Sequence, residues 1–294
     1  MSDITLSSAT RANLLSLQST TNLIGRTQER LATGLKVNSA IDDALAFFKA
    51  RNLNSRATDL SSLKDAILGG ISVIKAAVQG LEAIEAVIKQ MKALAQSAIS
   101  SPESTTRAKL ASQFNELRSQ VDNLAEDASF NGVNLLKNTT DSFIGGADQL
   151  TVKFNERTDT SAVNQLVVSG LSSADFSEIV ASAAVATGAT TDVWGVTGAA
   201  AVTAITASIR ALDSALVTVR QVAQEFGTNS ALLQIRADFT TNLINTLKGG
   251  ASELVNADLN EESANLLSLQ TRQQLGTISL SIAQRSEQSI LRLF

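Results

Sequence analysis

Leu60, Ile67, Ile74, Leu81, Ile88 and Ala95 recur every seven residues through a stretch that holds no proline. That period sets the six side chains on one face of an α-helix and keeps the face turned toward a packing partner. Leu63, Ile71, Val78, Ile84 and Met91 widen the stripe on both sides. Pro102 is the only proline in 294 residues, so little else forbids long helices. From about Asp42 to Ser100 the pattern predicts a helix of roughly 85 Å at 1.5 Å per residue. Gly69, Gly70 and Gly80 lie inside it at a cost of about 1 kcal/mol each against Ala. They are expected to admit a neighbouring helix at close range.

Further helical rhythms follow. Ser101-Pro102-Glu103 reads as a helix restart, with Ser101 as N-cap and Pro102 in the first turn. Leu110, Phe114, Leu117, Val121, Leu124 and Ala128 alternate at spacings of four and three, and so do Ile205, Ile209, Leu212, Leu216 and Val219. Phe226, Leu233, Phe239, Leu243 and Leu247 continue the second series, and Gly249-Gly250 is expected to break or bend it. Asn131-Gly132 is a hairpin turn signal. Gln149 to Phe154 alternates at period two, which places a small β element at 130–155. Residues 158–209 contain no Lys or Arg, and Trp194 in that stretch reads as a packing anchor.

The two ends resemble each other and not the middle. Residues 1–44 carry four cations and four acids, and residues 255–294 carry three and four. Leu17, Ile24 and Leu31 repeat at seven, with Leu14 and Leu35 on a companion stripe interrupted by Thr21 and Gln28. Leu259, Leu266, Leu280 and Phe294 form one stripe of the last segment; Leu275, Ile278, Ile282 and Ile290 form another. Narrow stripes with little net charge suit pairing with other helices, so these residues are the expected assembly seam. Ser39 to Asp43 offers helix-start chemistry.

Composition removes whole classes of function. With no His and no Cys, the commonest general base, metal ligand and thiol nucleophile are absent. No catalytic, metal or cofactor site is expected, and the protein reads as a non-enzyme. Ser61-x-x-Lys64 and Ser72-x-x-Lys75 lack supporting motifs and read as coincidence. Asn138-Thr139-Thr140 reads as an ordinary turn rather than a glycosylation acceptor. A net charge of −4 argues against nucleic acid. No run of about 18 consecutive apolar residues marks a membrane span. The start lacks a basic, then apolar, secretory signal, so the chain is expected to stay in the cytoplasm or leave by another route.

Several motifs now carry a family resemblance. Glu29-Arg30-Leu31-Ala32-Thr33-Gly34-Leu35-Lys36-Val37-Asn38-Ser39-Ala40, followed by Asp42-Asp43-Ala44, closely resembles the bacterial flagellin motif E-R-L-S-S-G-L-R-I-N-S-A-x-D-D-A. Gly70-Ile71-Ser72 and Phe130-Asn131-Gly132-Val133-Asn134-Leu135-Leu136 are similar to two further flagellin signatures. Gln270-Thr271-Arg272-Gln273-Gln274-Leu275-Gly276 and the run to Phe294 resemble the flagellin C-terminus.

The resemblance implies a subunit that polymerises into the flagellar filament after export, unfolded, through the flagellar type III apparatus. It implies a mainly α fold: a long antiparallel bundle with paired ends, a small β-hairpin and a short variable insert. The domains expected are 1–44 with 255–294 as an inner coiled coil, 45–157 with 199–254 as a helical bundle, and 158–198 as a surface-exposed insert. Implied partners are further copies of the chain, the export apparatus and a chaperone, and the filament cap and hook-junction proteins. Neither nucleic acid nor membrane insertion is implied. Val87 to Ala98 lacks both arginines of the stretch an innate receptor reads in many flagellins, and Lys92 stands where an acid is usual, which puts recognition in doubt. Glycosylation of the insert is compatible with the family. A hook–filament junction protein and a membrane-active secretion protein are the alternatives.

Overall fold

The seven-residue repeat folds as a single helix. The computed structural model describes residues 8–137, 149–156, 164–171, 194–195 and 198–291. In chain order these form α1 (Ser8–Thr33), α2 (Ala44–Ser100), α3 (Ser104–Asp127), β1 (Ser129–Phe130), β2 (Val133–Asn134), β3 (Gln149–Lys153), β4 (Gln165–Ser169), α4 (Ala199–Val255) and α5 (Leu259–Leu291). The mainly α reading and the order of parts hold. Packing divides the chain into one unit of Met1–Ala57 with Asn245–Phe294 and another of Thr58–Ile244. The division falls inside α2 and α4, whereas boundaries at 44 and 255 fall at helix ends.

The second unit has one apolar core. All six heptad residues of α2 from Leu60 to Ala95 are buried. Phe114, Val121 and Ala125 of α3 and Ile205, Leu212, Val219, Phe226 and Leu233 of α4 share that burial. Phe239 departs from the expected series and is 57% exposed. The inward phase runs instead through Leu233, Ala237, Thr240 and Ile244, a continuation of the four-three spacing that misses Phe239 by one residue. Both long helices contain an 18-residue window apolar enough to cross a membrane, in which interspersed polar residues break the apolar run. In α2 half of that window is buried inside the protein, so much of its apolar surface is already used.

The turn between α2 and α3 differs from the expected cap. Ser101–Glu103 lies outside the helix, Glu103 is the N-cap, and its side chain makes no capping bond. The buried Arg107 ties the turn down: its guanidinium donates to the carbonyls of Ser101 at 2.9 Å and Pro102 at 3.1 Å. Arg107 Nε also donates to the Trp194 carbonyl at 2.9 Å, and the Trp194 ring packs 4.9 Å from Phe114.

Asn131 and Gly132 turn β1 into β2 with φ of 52° and 79°, the left-handed pair that a tight hairpin demands. Asn134 then caps α3: its Nδ2 donates to the carbonyls of Ala125 at 2.8 Å and Glu126 at 3.0 Å, while its Oδ1 accepts from Leu136 N and Lys137 N. The second hairpin pairs β3 with β4 antiparallel, Leu150 opposite Val168 and Val152 opposite Leu166. Its return strand lies in the segment expected as a surface insert. Val168, Leu171 and Trp194 are buried, so these described parts of 158–198 belong to the core. Alternation over only five residues of β4 was too short to stand out. Asn138 to Thr140 lie outside the described residues, as does all of 158–198 other than 164–171, 194, 195 and 198.

The glycines divide. A Cβ at Gly80 would sit 2.6 Å from Ala128 Cβ, and one at Gly70 2.8 Å from Val152 Cγ2 of β3. The close neighbours are thus a helix end and a strand, not a facing helix. Gly69 has nothing within 4 Å, so the expectation fails there. Gly249 and Gly250 do not break α4, which continues to Val255.

Candidate assembly surface

In the first unit the sequence builds two chain corners and joins them. Gly34 ends α1 with φ of 72°, and its N–H donates to the Arg30 carbonyl at 2.8 Å, a left-handed helix cap. The chain then runs beside the α4–α5 corner. Lys36 N donates to the Val255 carbonyl at 2.8 Å and Ala257 N to the Gly34 carbonyl at 2.9 Å, with Leu35 bridged to Asn256. Leu35 therefore lies in this backbone bridge, not on a helix stripe.

Acid side chains finish both corners. Asp42 Oδ2 accepts from Asn38 N at 3.3 Å, from Ser39 N at 3.0 Å and from Ser39 Oγ at 3.0 Å. The Ser39 hydroxyl and N–H, more than any other groups, hold the Asp42 carboxyl below the usual carboxylate range. Asp43 caps α2 by accepting from Ala46 N at 3.0 Å, and Asp258 caps α5 by accepting from Asn260 N at 2.9 Å. Asn38 Nδ2 donates to Glu29 Oε1 at 3.3 Å. Arg30 pairs with the buried Glu262 at 2.9 Å, linking α1 to α5. Glu29, Arg30, Gly34, Asn38, Asp42 and Asp43 are thus one corner-building set, while Asn131 and Gly132 build the β1–β2 turn. Around the corner a cavity of about 330 Å³ is lined by Asp42, Asp43, Asp258, Glu261 and Glu262 against Arg30 and Lys36. An adjoining groove is lined by Arg26, Arg30 and Arg272 with Glu262 as its one acid.

The helix seam within the subunit is not the one the leucines suggested. On α1 the inward residues are Thr10, Asn13, Leu17, Thr20, Ile24, Thr27 and Leu31. On α5 they are Glu262, Leu266, Leu269, Gln273, Gly276, Leu280 and Ala283. Both sets keep an unbroken three-four spacing. The small and polar residues among them masked it. They also bring the helices close: a Cβ at Gly276 would lie 3.2 Å from Leu17 Cδ1. Leu17, Ile24, Leu31, Leu266 and Leu280 of the expected set do face this seam. Leu14, Leu259, Leu275, Ile278 and Ile282 do not, and lie 41–62% exposed. The Ile290 side chain and Phe294 lie outside the described residues. Ser72, half of one Ser–Lys pair, donates its hydroxyl to the Leu68 carbonyl at 3.1 Å, an ordinary helix contact.

Residues 4–141 match the bacterial flagellin N-terminal helical region, and residues 209–294 match the bacterial flagellin C-terminal helical region. Flagellin FljO of Caulobacter vibrioides is 32% identical over 100% of this chain and 99% of its own length. Flagellin FljM of the same organism is 33% identical with the same coverage. A flagellin of Brucella melitensis is 26% identical over 100% of this chain and 99% of its own. The fold is shared with a solved structure described as a flagellar hook-associated protein of Vibrio parahaemolyticus, at a TM-score of 0.57 and 14% identity, covering 73% of this chain and 100% of that one. With both terminal regions matched and whole-length relatives above 30% identity, the chain belongs to the bacterial flagellins, the structural subunits of the extracellular flagellar filament.

Proposed function

We propose that the paired ends of this flagellin are its assembly element and acquire stable order on the growing filament. The observation that carries this is burial. Among the described residues Ile24 is the only buried apolar side chain of α1, and α5 has none. Ordering a residue costs about 1–2 kcal/mol, whereas burying one Ile returns about 1.5–3 kcal/mol. Helices 26 and 33 residues long with so thin a seam need a further surface. Leu14, Leu15 and Leu23 of α1 and Leu259, Leu267, Leu275, Ile278 and Ile282 of α5 are exposed and supply it. Neighbouring copies cover these faces, while Leu17, Ile24, Leu31, Leu266 and Leu280 close the seam inside each copy.

On this reading 1–44 with 255–294 act as the inner domain, 45–157 with 199–254 as the bundle, and the remainder of 158–198 as the variable part. The subunit passes unfolded through the flagellar type III apparatus with a chaperone and adds beneath the cap beyond the hook-junction proteins. With no cysteine and a single proline, refolding has no disulfide step and only one prolyl bond that can isomerise slowly. Lys92, standing where an acid is usual, pairs with Asp213, and this argues against recognition by the innate receptor.

The test is seeded growth followed by electron microscopy, beside a variant lacking 255–294, with hydrogen exchange on the free monomer. Long filaments from the full chain, none from the variant, and weak protection of α1 and α5 are expected. Seeds that are only capped would favour a junction role. Strong protection of α1 and α5 in the monomer would refute folding on assembly.

A further inference from the structure

The corner between α1 and α2 carries a feature that its own construction does not use. Ile41 is 96% exposed, Leu45 67% and Phe48 54%. Leu45 and Phe48, three residues apart, share one face of the first turns of α2, and Ile41 lies in the turn that leads into it. The corner is held by Asp42, Asp43 and Ser39, and Ile41 takes no part in that bonding. Phe47 packs edge-on to Phe48, with ring centroids 5.6 Å apart, which limits the freedom of the exposed ring. Asp42 and Asp43 lie between Ile41 and Leu45 in sequence, so this apolar knob has an acidic rim.

The outward face of α5 is its opposite. Leu267, Leu275 and Ile278 are 66%, 61% and 55% exposed. Arg272 stands one helical turn before Leu275 and, with Arg26, lines the groove whose cations outnumber its acid. This face is apolar with a basic rim.

We propose that Ile41, Leu45 and Phe48 of one subunit seat on the Leu267–Leu275–Ile278 face of α5 in a second copy, with Asp42 and Asp43 set against Arg272. This deepens the assembly reading and rests on it. Two features commit the contact to a second copy. The rims are complementary in charge, which fixes register. The surfaces are different patches of the same subunit, so the contact is heterologous and leaves both patches open for further copies, which a filament requires; a self-complementary patch would stop at a dimer.

The chain has no cysteine, which makes paired-cysteine cross-linking specific. Filaments of an Ile41→Cys/Leu275→Cys variant, grown reduced and then oxidised, are expected to give a ladder of covalent dimers, trimers and longer chains. Filaments of either single variant give no ladder. A mixture of the two single variants gives dimers only. Normal filaments of the double variant that yield no intermolecular cross-link would overturn the contact. In parallel, an Ile41→Asn/Leu45→Gln/Phe48→Asn subunit is expected to extend wild-type seeds at least tenfold more slowly with unchanged Trp194 emission. Extension at the wild-type rate would also overturn it. Wild-type subunits that fail to extend seeds would instead overturn the assembly reading itself, so the two failures are distinguishable.

Discussion

Gly69 and Gly80 allow one substitution to be made twice in one helix with opposite expected results. Replacing either by Ala gains about 1 kcal/mol of helix propensity. At Gly69 the new methyl meets nothing within 4 Å, so the gain is expected in full. At Gly80 it would lie 2.6 Å from Ala128 Cβ and 2.9 Å from Leu136 Cδ1. Leu136 can swing, but Ala128 Cβ is fixed to a backbone whose Cα is 3.9 Å away. Overpacking of this kind costs about 1–3 kcal/mol. Gly80→Ala should therefore range from neutral to about 2 kcal/mol less stable than wild type. It should fall about 1–3 kcal/mol below Gly69→Ala, a difference from which propensity cancels. Urea unfolding of unpolymerised protein can be followed by the emission of Trp194, the sole tryptophan, buried against Phe114. Equal midpoints for the two variants would refute the claim that Gly80 is required by close approach.

Three further perturbations probe other contacts. Arg107→Ala leaves the Ser101, Pro102 and Trp194 carbonyls without their guanidinium donor. A loss of about 2–4 kcal/mol with red-shifted tryptophan emission is expected; an unshifted spectrum and unchanged stability would contradict this role. Glu85 accepts from Lys89 and Arg220, which together hold its carboxyl below the usual carboxylate range of about 4.5. The stability it contributes is present above the unfolded value and is lost as pH falls through the lower folded value. Glu85→Gln should flatten the acid limb of stability against pH, and an unchanged limb would count against the assignment. For the Arg30–Glu262 pair, a double-mutant cycle to Ala on filament dissociation should give a coupling of about 0.5–1.5 kcal/mol, since Arg30 is a third exposed. Zero coupling would show that the pair does not help hold α1 to α5.

Much of the fold was legible because it repeats. The Leu60–Ala95 heptad, the Phe114–Val121 rhythm and the Asn131-Gly132 turn each demand one local geometry, and each adopts it. Local signals failed where a residue's role depends on a partner distant in sequence. Thr27, Gln273 and Gly276 look unfit for a helix seam, yet they line it because α1 and α5 pair closely. Leu275 and Ile278 look like seam residues, yet they face outward because the narrower three-four register leaves no room for both stripes. β4 was missed because its strand identity comes from pairing with β3 rather than from five short residues of alternation.

The sequence by itself determined that this chain is helical, that its ends are alike, and that His and Cys chemistry is absent from it. Periodicity and composition are local properties and need no neighbours to be read. Tertiary structure decided which face of each terminal helix is spent inside the subunit and which stays open. It also showed that the family motif from Glu29 to Asp43 builds a corner pinned to residues 255–257. Those outcomes depend on backbone hydrogen bonds and packing between segments more than 200 residues apart, which no local pattern encodes.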